Sequence, residues 1–214
     1  CPGETAKQEN QEIMAKNNPI YLIIHHSGGS EADPTADTSN HTFEIVNEWH
    51  RQNPKINLGY PSSLGFFIGY HFFIEKTGKT TQGRDELEIG AHVVGMNDKS
   101  IGICLAGNFD RLPSLPNSKP TKEQEESLKK LLKELSLKYN ILPDKVVPHR
   151  YFANRTCYGK NLPDNWARNL FREEIAPDIE ELKRQKQSLM EKIIETLKLL
   201  IIRLQNKLGK QRYA

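Results

Sequence analysis

The chain has 214 residues, enough for one well-packed core and an appendage. Its composition, 36% hydrophobic and 27% charged, is ordinary for a globular protein, and no apolar run reaches the length of a membrane span. The net charge of +3 is uneven, because residues 175–214 hold nine Lys/Arg against five Asp/Glu and the remainder is close to neutral. A main domain without clustered positive charge is not expected to bind nucleic acid.

The N-terminal residues and the cysteines reveal little about how the chain is organised. Residues 1–18 are polar and aperiodic, which predicts an N-terminal tail. The three cysteines do not have the spacing of a disulfide framework. Cys104 lies in an apolar run, where a small, buried, inert thiol is favoured over a ligand. Cys1 is interpreted either as a lipid-attachment cysteine exposed by signal cleavage or as a residue foreign to the native chain, and a start at Met14 fits equally.

Periodicity predicts a first set of elements in chain order. The run from Tyr21 to His26 is short, apolar and β-branched, which predicts a buried strand. Apolar residues at helical spacing predict a helix over residues 41–52. Residues 70–75 predict a strand that enters a hairpin turn, and residues 100–107 predict a second buried strand.

The elements that follow complete the domain. Thr121 and Gln124 form a capping box, so a helix is expected from there to about Tyr139. A short strand over residues 146–148 is expected, and then a helix capped by Asp164 that ends near Pro177. Together these segments predict an α/β domain over residues 19–176, with a mixed central β-sheet flanked by helices.

The pattern changes after Pro177. Leu and Ile recur at steps of three, four and seven, and charged residues fill the other faces. This predicts one long amphipathic, coiled-coil-like helix over residues 177–214. Its apolar stripe needs a cover, for which self-association into a homo-oligomer is favoured over packing on the domain or on a lipid surface. Two routes to a membrane therefore stay open, this helix and a lipid on Cys1.

Three side chains carry donor atoms suited to a transition metal. His25 closes the first strand, His149 follows the short strand, and Cys157 comes eight positions later on a loop. Two imidazoles and one thiolate give zinc three protein ligands and leave its fourth position for water. Structural zinc sites are instead closed by four protein ligands. The number of ligands therefore indicates a hydrolytic zinc site.

Motifs over about residues 20–172 resemble the zinc amidase family that includes phage amidase-type lysozymes and animal peptidoglycan recognition proteins. The matching segments, in the family's order, are residues 23–27, 49–50, 69–72, 83–85, 90–92, 100–107 and 149–157. The resemblance implies an N-acetylmuramoyl-L-alanine amidase, which cuts the bond between the lactyl group of the sugar and the first residue of the stem peptide.

The resemblance also implies roles for single residues. By position, the family's zinc ligands fall on His25, His149 and Cys157, and its catalytic tyrosine falls on Tyr70. Tyr70 would orient the water or stabilise the oxyanion. A second catalytic position, often Lys in the family, is Arg155 here; a guanidinium stays protonated and supplies fixed positive charge rather than a base.

Further residues are candidates for positions in or near the cleft. The loop residues His92, Asn97 and Arg84 are candidate substrate contacts, with a surface role an equal alternative for His92. The usual Cys-Pro-Gly is Cys157-Tyr158-Gly159 here, a departure expected to reshape the loop without removing the ligand. His26 and His71 are excluded from the cleft because side chains alternate along a strand.

The leading function is a zinc-dependent cell-wall hydrolase acting on peptidoglycan or muropeptides. The alternative is a non-catalytic peptidoglycan-binding protein, which is disfavoured because such relatives commonly lack the cysteine ligand. The expected location is the cell envelope or the outside of the cell, or, for a phage-encoded protein, the host cytoplasm until lysis.

Overall fold

The computed structural model describes residues 16–29, 33–53 and 59–211, with side chains of the last helix described as far as Arg203. The chain forms two compact units, Cys1–Arg172 and Glu173–Ala214. Cys1 and most of the expected N-terminal tail lie outside the described residues. Asn17 is buried, and its backbone N–H donates to the carbonyl of Leu87. The packed part of the domain therefore begins before residue 19.

A five-stranded mixed sheet forms the centre of the first unit, as predicted. Its strands are β1 (Tyr21–His26), β2 (Phe72–Ile74), β3 (Thr80–Gln82), β4 (Ser100–Leu105) and β5 (Val146–Pro148). They lie in the order β3-β2-β4-β1-β5. Strand β1 is parallel to both β4 and β5, β2 is parallel to β4, and β3 is antiparallel to β2.

The central position of β1 explains its composition. Leu22, Ile23 and Ile24 are fully buried. A strand paired on both edges and covered on both faces carries apolar side chains in both directions, and so reads as a continuous apolar run. The predicted strand is therefore confirmed with its bounds.

The described residues form three α-helices, α1 (Phe43–Gln52), α2 (Lys122–Tyr139) and α3 (Trp166–Gln211). Single 3-10 turns cover Pro143–Lys145 and His149–Tyr151. The capping box of α2 is confirmed. The N–H of Gln124 donates to Thr121 Oγ1, and the N–H of Thr121 donates to Gln124 Oε1, both at 3.1 Å.

Strand β2 is shorter than predicted, since it begins at Phe72 and leaves Tyr70 and His71 in the segment before it. The backbone N–H of Gly102 donates to His71 Nδ1 at 3.0 Å. The His71 side chain thus accepts from the backbone N–H of Gly102, which would otherwise donate to a carbonyl of a longer β2. Local propensity does not reveal such competition from a distant residue.

Helix α3 differs from the prediction at its expected N-terminal cap, Asp164, and at its expected end near Pro177. It runs through Pro177, where we expected a helix to end. Proline removes one backbone hydrogen bond, but good helix formers on both sides allow the helix to continue. The carboxylate of Asp164, the expected cap, accepts instead from Arg150 Nε at 2.5 Å.

The described part of the second unit is helical and exposes its side chains. Every side chain from residue 176 to residue 203 is exposed, including the apolar ones predicted to form the stripe. No helix in the described ranges is both long enough and apolar enough to cross a membrane.

Candidate metal centre

Two parallel strands bring two imidazoles to the same edge of the sheet. His25 is the fifth residue of β1, and His149 directly follows β5. Neighbouring parallel strands end at the same side of a sheet, so these two residues meet. The centroids of their rings are 4.7 Å apart.

The loop after β5 returns Cys157 to the same place. The backbone N–H of Arg150 donates to the carbonyl of Cys157 at 2.7 Å, which closes the loop. The guanidinium of Arg150 donates to the carbonyls of Thr156, Gly159 and Leu162. The sequence did not predict this role of Arg150, because its position in the sequence does not distinguish an arginine that organises a loop from an ordinary surface arginine.

Tyr158 anchors the loop from its other side. The side chain is buried, and its hydroxyl donates to the carbonyl of Pro163 at 2.8 Å. The peptide bond between Cys157 and Tyr158 is cis. With Tyr158 in place of the usual proline, Cys157 lies close to His25 and His149.

The distances between the three donor atoms fit a tetrahedral zinc ion. One ligand atom from each of His25, His149 and Cys157 lies within 4.8 Å of the other two. His25 Nδ1 and Cys157 Sγ are 3.7 Å apart. Ordinary Zn–N and Zn–S bond lengths at a tetrahedral angle would separate such atoms by about 3.5 Å. The residues therefore fit the metal, and binding itself stays a prediction.

The protonation states also suit a metal ion. Burial holds the pKa of His25, which is 1% exposed, well below its usual value. Burial, with a smaller contribution from the charge of Arg155, lowers the pKa of His149 to about 4. Both imidazoles are therefore neutral near pH 7 and can donate a lone pair. Burial raises the pKa of the Cys157 thiol to about 12, so a cation is needed to ionise it.

Tyr70 lies beside these donors, and Arg155 acts on them through its charge. The ring centroids of Tyr70 and His25 are 4.9 Å apart. Burial, followed by the nearby Cys104 and Cys157 sulfurs, raises the pKa of Tyr70 well above its usual value, so the phenol keeps its proton. Arg155 is exposed, and its positive charge reaches Tyr70 and His149, whose pKa values it lowers.

Cys104 fits the inert role expected of it. Its side chain is fully buried opposite His25 in the β1–β4 register. Burial raises the pKa of its thiol well above the usual value. Cys104 is not part of the His25, His149 and Cys157 group.

The three candidate substrate contacts bond to the protein itself in this structure. His92 Nδ1 is 3.1 Å from His25 Nε2. Asn97 Oδ1 accepts from the backbone N–H groups of His92 and Val93, each at 2.8 Å. Arg84 is 2% exposed, and its Nε donates to the carbonyl of Ile68. Substrate contact by these residues stays a prediction.

The two excluded histidines take structural positions. His26 Nδ1 accepts from the backbone N–H of Phe109, and its Nε2 is 3.8 Å from an Asp110 oxygen. His71 is buried and bonds to backbone groups of the neighbouring segments. Neither is a member of the three-donor group.

Comparison with known proteins decides the family. The family model described as N-acetylmuramoyl-L-alanine amidase matches residues 15–160. The chain belongs to this family. The matched range contains all three candidate metal ligands, both candidate catalytic residues and the whole of the central sheet.

Relatives of the chain come from phages, bacteria and animals. The endolysin of Escherichia phage T7 is 30% identical over 158 residues, which cover 74% of this chain and 92% of that protein. Peptidoglycan-recognition protein SC1a of Drosophila melanogaster is 36% identical over 90 residues, covering 42% and 43%. The solved structure of the endolysin amidase LysCS from Clostridium intestinale is 30% identical, with a TM-score of 0.53 over 75% of this chain and 84% of that one.

Proposed function

We propose that the protein hydrolyses the amide bond between N-acetylmuramic acid and L-alanine in peptidoglycan, with zinc held by His25, His149 and Cys157. One observation carries the proposal: in a chain of the amidase family, three separated segments bring two imidazoles and a thiol within 4.8 Å. When bound, zinc supplies Lewis acidity that lowers the pKa of a water molecule to roughly 7 and polarises a carbonyl.

Tyr70 and Arg155 would serve the oxygen of the amide carbonyl. The Tyr70 phenol keeps its proton, so it is a hydrogen-bond donor rather than a base. Arg155 is a fixed cation that cannot exchange its proton. Donors placed before the reaction stabilise the negative charge that develops on that oxygen. The two residues together would therefore form the oxyanion site.

An open cavity lies beside Arg155. A cavity of about 450 Å³ is bounded by the segment that follows β5 and by Asp164. Its lining includes Tyr151, Phe152 and Asn154, which offer two rings and an amide. This cavity is our candidate for part of the muropeptide-binding groove.

The reaction defines the test. Water adds its hydroxyl to the lactyl carbonyl and a hydrogen to the nitrogen of L-alanine as the amide bond breaks. Purified protein with bound zinc is expected to release free stem peptide from soluble muropeptides, as measured by mass spectrometry. A chelator should abolish release, added zinc should restore it, and Cys157→Ser should lose both metal and turnover.

The same experiment addresses the alternative function. If stoichiometric zinc is bound and muropeptides bind without any release of peptide, the protein recognises peptidoglycan and does not cleave it. If Cys157→Ser loses zinc but keeps activity, the metal centre is not the site of the reaction.

The place of action we propose is the bacterial cell wall. Relatives that include the endolysins of Klebsiella phage KP32 and Enterobacteria phage T3 favour a phage-encoded protein that waits in the host cytoplasm until lysis. The cell envelope or secretion, with or without a lipid on Cys1, is the alternative. Fractionation of producing cells, followed by mass spectrometry of the N-terminus, distinguishes them.

For the organisation of the chain, we propose an amidase domain over residues 19–176, extended at its start by the buried Asn17, and a separate helical segment over residues 177–214 that pairs with other copies. The division into two compact units near residue 172 and the exposed apolar side chains after residue 176 support this proposal. Membrane contact through the same side chains is the competing proposal. The oligomeric state separates the two.

A further inference from the structure

One imidazole touches the candidate metal centre without belonging to its three donors. The Nδ1 atom of His92 is 3.1 Å from the Nε2 atom of His25. The two rings are nearly perpendicular, at 87°, with centroids 5.1 Å apart. This geometry directs one nitrogen of each ring at the other.

The hydrogen of this contact can be assigned from the metal site. His25 Nδ1 lies 3.7 Å from Cys157 Sγ, so Nδ1 is the nitrogen whose lone pair faces the other donors. A neutral imidazole carries its hydrogen on the other nitrogen, here Nε2, which must then donate. His92 Nδ1 is the acceptor within reach.

The same logic fixes the second ring. An accepting Nδ1 places the hydrogen of His92 on Nε2, which is 3.5 Å from the hydroxyl oxygen of Ser100. That hydroxyl in turn donates to the carbonyl of Met96 at 2.6 Å. Each member of the chain from His25 to Met96 thus has a consistent donor or acceptor role.

The backbone around His92 is shaped to receive its ring. A Cβ atom at Gly102 would lie 2.6 Å from Cγ of His92, and one at Gly90 would lie 2.5 Å from its Cδ2. Real Cβ contacts do not approach so closely, so both positions require glycine while the ring is in place. The backbone N–H of His92 is held in addition by Asn97 Oδ1. Gly90 and Gly102 therefore enclose the ring, and Asn97 holds the backbone that carries it.

We propose that His92 is a positioning residue for the metal centre: by accepting from His25 Nε2, it keeps the Nδ1 lone pair of His25 directed at the metal. This inference rests on the proposed function, since it assigns a role toward the zinc ion of that site. Metal-bound histidines generally donate their second N–H to such a partner, and losing the partner costs about 10- to 100-fold in metal affinity or activity.

A matched pair of variants isolates the acceptor. His92→Asn and His92→Leu give side chains of similar size, both branched at Cγ, but only Asn offers an oxygen near the position of Nδ1. We expect His92→Leu to weaken zinc binding by about 10- to 100-fold, and His92→Asn to bind zinc nearly as tightly as the wild type. Zinc affinity is measured by competition with a chromogenic chelator, and thermal unfolding of the metal-free proteins checks that both variants fold.

A second readout needs no metal. In ¹⁵N NMR spectra of the metal-free chain, we expect His25 to be the Nε2–H tautomer in the wild type and in His92→Asn, and a mixture of tautomers in His92→Leu. Equal zinc affinities for Leu and Asn variants, or an unchanged His25 tautomer in His92→Leu, would overturn the role of His92. If the wild type binds no zinc at all, the metal centre itself is wrong, while the NMR result still decides whether His92 sets the tautomer.

Discussion

A thiol surrounded by protein becomes a good metal ligand only when the metal itself favours ionisation. Burial raises the pKa of Cys157 to about 12, whereas burial lowers the pKa of His149 to about 4 and that of His25 well below its usual value. Between about pH 5 and pH 9 the metal-free site therefore holds two neutral imidazoles and one protonated thiol. Binding a divalent cation must then release a single proton.

This proton sets the pH dependence of zinc binding. Because the bound form is the deprotonated one, raising the pH favours binding, and the affinity should increase about tenfold per pH unit between about pH 5 and pH 6.5, below the pKa of roughly 7 of a zinc-bound water. At about pH 6, calorimetry in two buffers of different ionisation enthalpy should count about one proton released per zinc. In Cys157→Asp the carboxylate ionises at a lower pH than the thiol, so the slope over this range should be smaller. A flat profile in the wild type would contradict the buried thiol.

Individual residues also show what sequence reasoning can reach. His25, His149 and Cys157 were predictable because the first two lie where neighbouring parallel strands end, and a short loop supplies the third. The contact between His92 and His25 was not predictable. It depends on the space left by Gly90 and Gly102, and no local pattern shows that these two glycines lie against the same ring.

At the level of elements, one glutamine joins a helix to the sheet. Gln124 Oε1 completes the capping box of α2. Its Nε2 donates to the carbonyl of Ile74, the last residue of β2, and to the carbonyl of Ala106, which directly follows β4. The side chain is 1% exposed. The capping box was readable from Thr121 and Gln124, but Glu would serve equally there. The two buried carbonyls are what require the amide.

Gln124→Glu tests this distinction. The carboxylate keeps the capping acceptor, yet it removes both donors and places a negative charge against two carbonyl oxygens. We expect a loss of about 2–4 kcal/mol in the free energy of unfolding, measured by urea denaturation with and without zinc. Lys122→Glu, an exposed acidic substitution in the first turn of the same helix, should be neutral or slightly stabilising. Equal effects of the two substitutions would mean that the amide bonds contribute nothing.

The elements that were predicted poorly share a cause. Strand β2 is short because the side chain of His71, directly before it, accepts from the backbone N–H of Gly102, and α3 passes Pro177 because one proline does not outweigh its helix-forming neighbours. Both outcomes depend on interactions that local pattern does not contain. The mixed sheet and the capped start of α2 followed patterns that the local sequence does contain.

On the scale of the whole molecule, the described part of the second unit exposes a series of apolar side chains. Leu189, Ile193 and Leu197 are 44–58% exposed and recur at steps of four along α3. Fully burying such a side chain in an interface contributes about 1.5–3 kcal/mol to the free energy of association. Ion pairs such as Glu180–Lys183 and Glu181–Arg184 lie among the charged positions of the same helix. This distribution is typical of a helix that pairs with another copy.

We therefore expect the full chain to form an oligomer through α3, and the double variant Leu189→Glu/Ile193→Glu to be monomeric, because two carboxylates cannot be buried in an apolar seam. Mass is measured by light scattering coupled to size-exclusion chromatography. The control Gln187→Glu/Ser188→Glu adds the same charge away from the stripe and should keep the oligomer. Release of peptide from soluble muropeptides should be equal in all three proteins. If the wild type is a monomer, the self-association proposal is wrong. If that monomer binds lipid vesicles and the Leu189→Glu/Ile193→Glu variant does not, the stripe instead contacts a membrane surface.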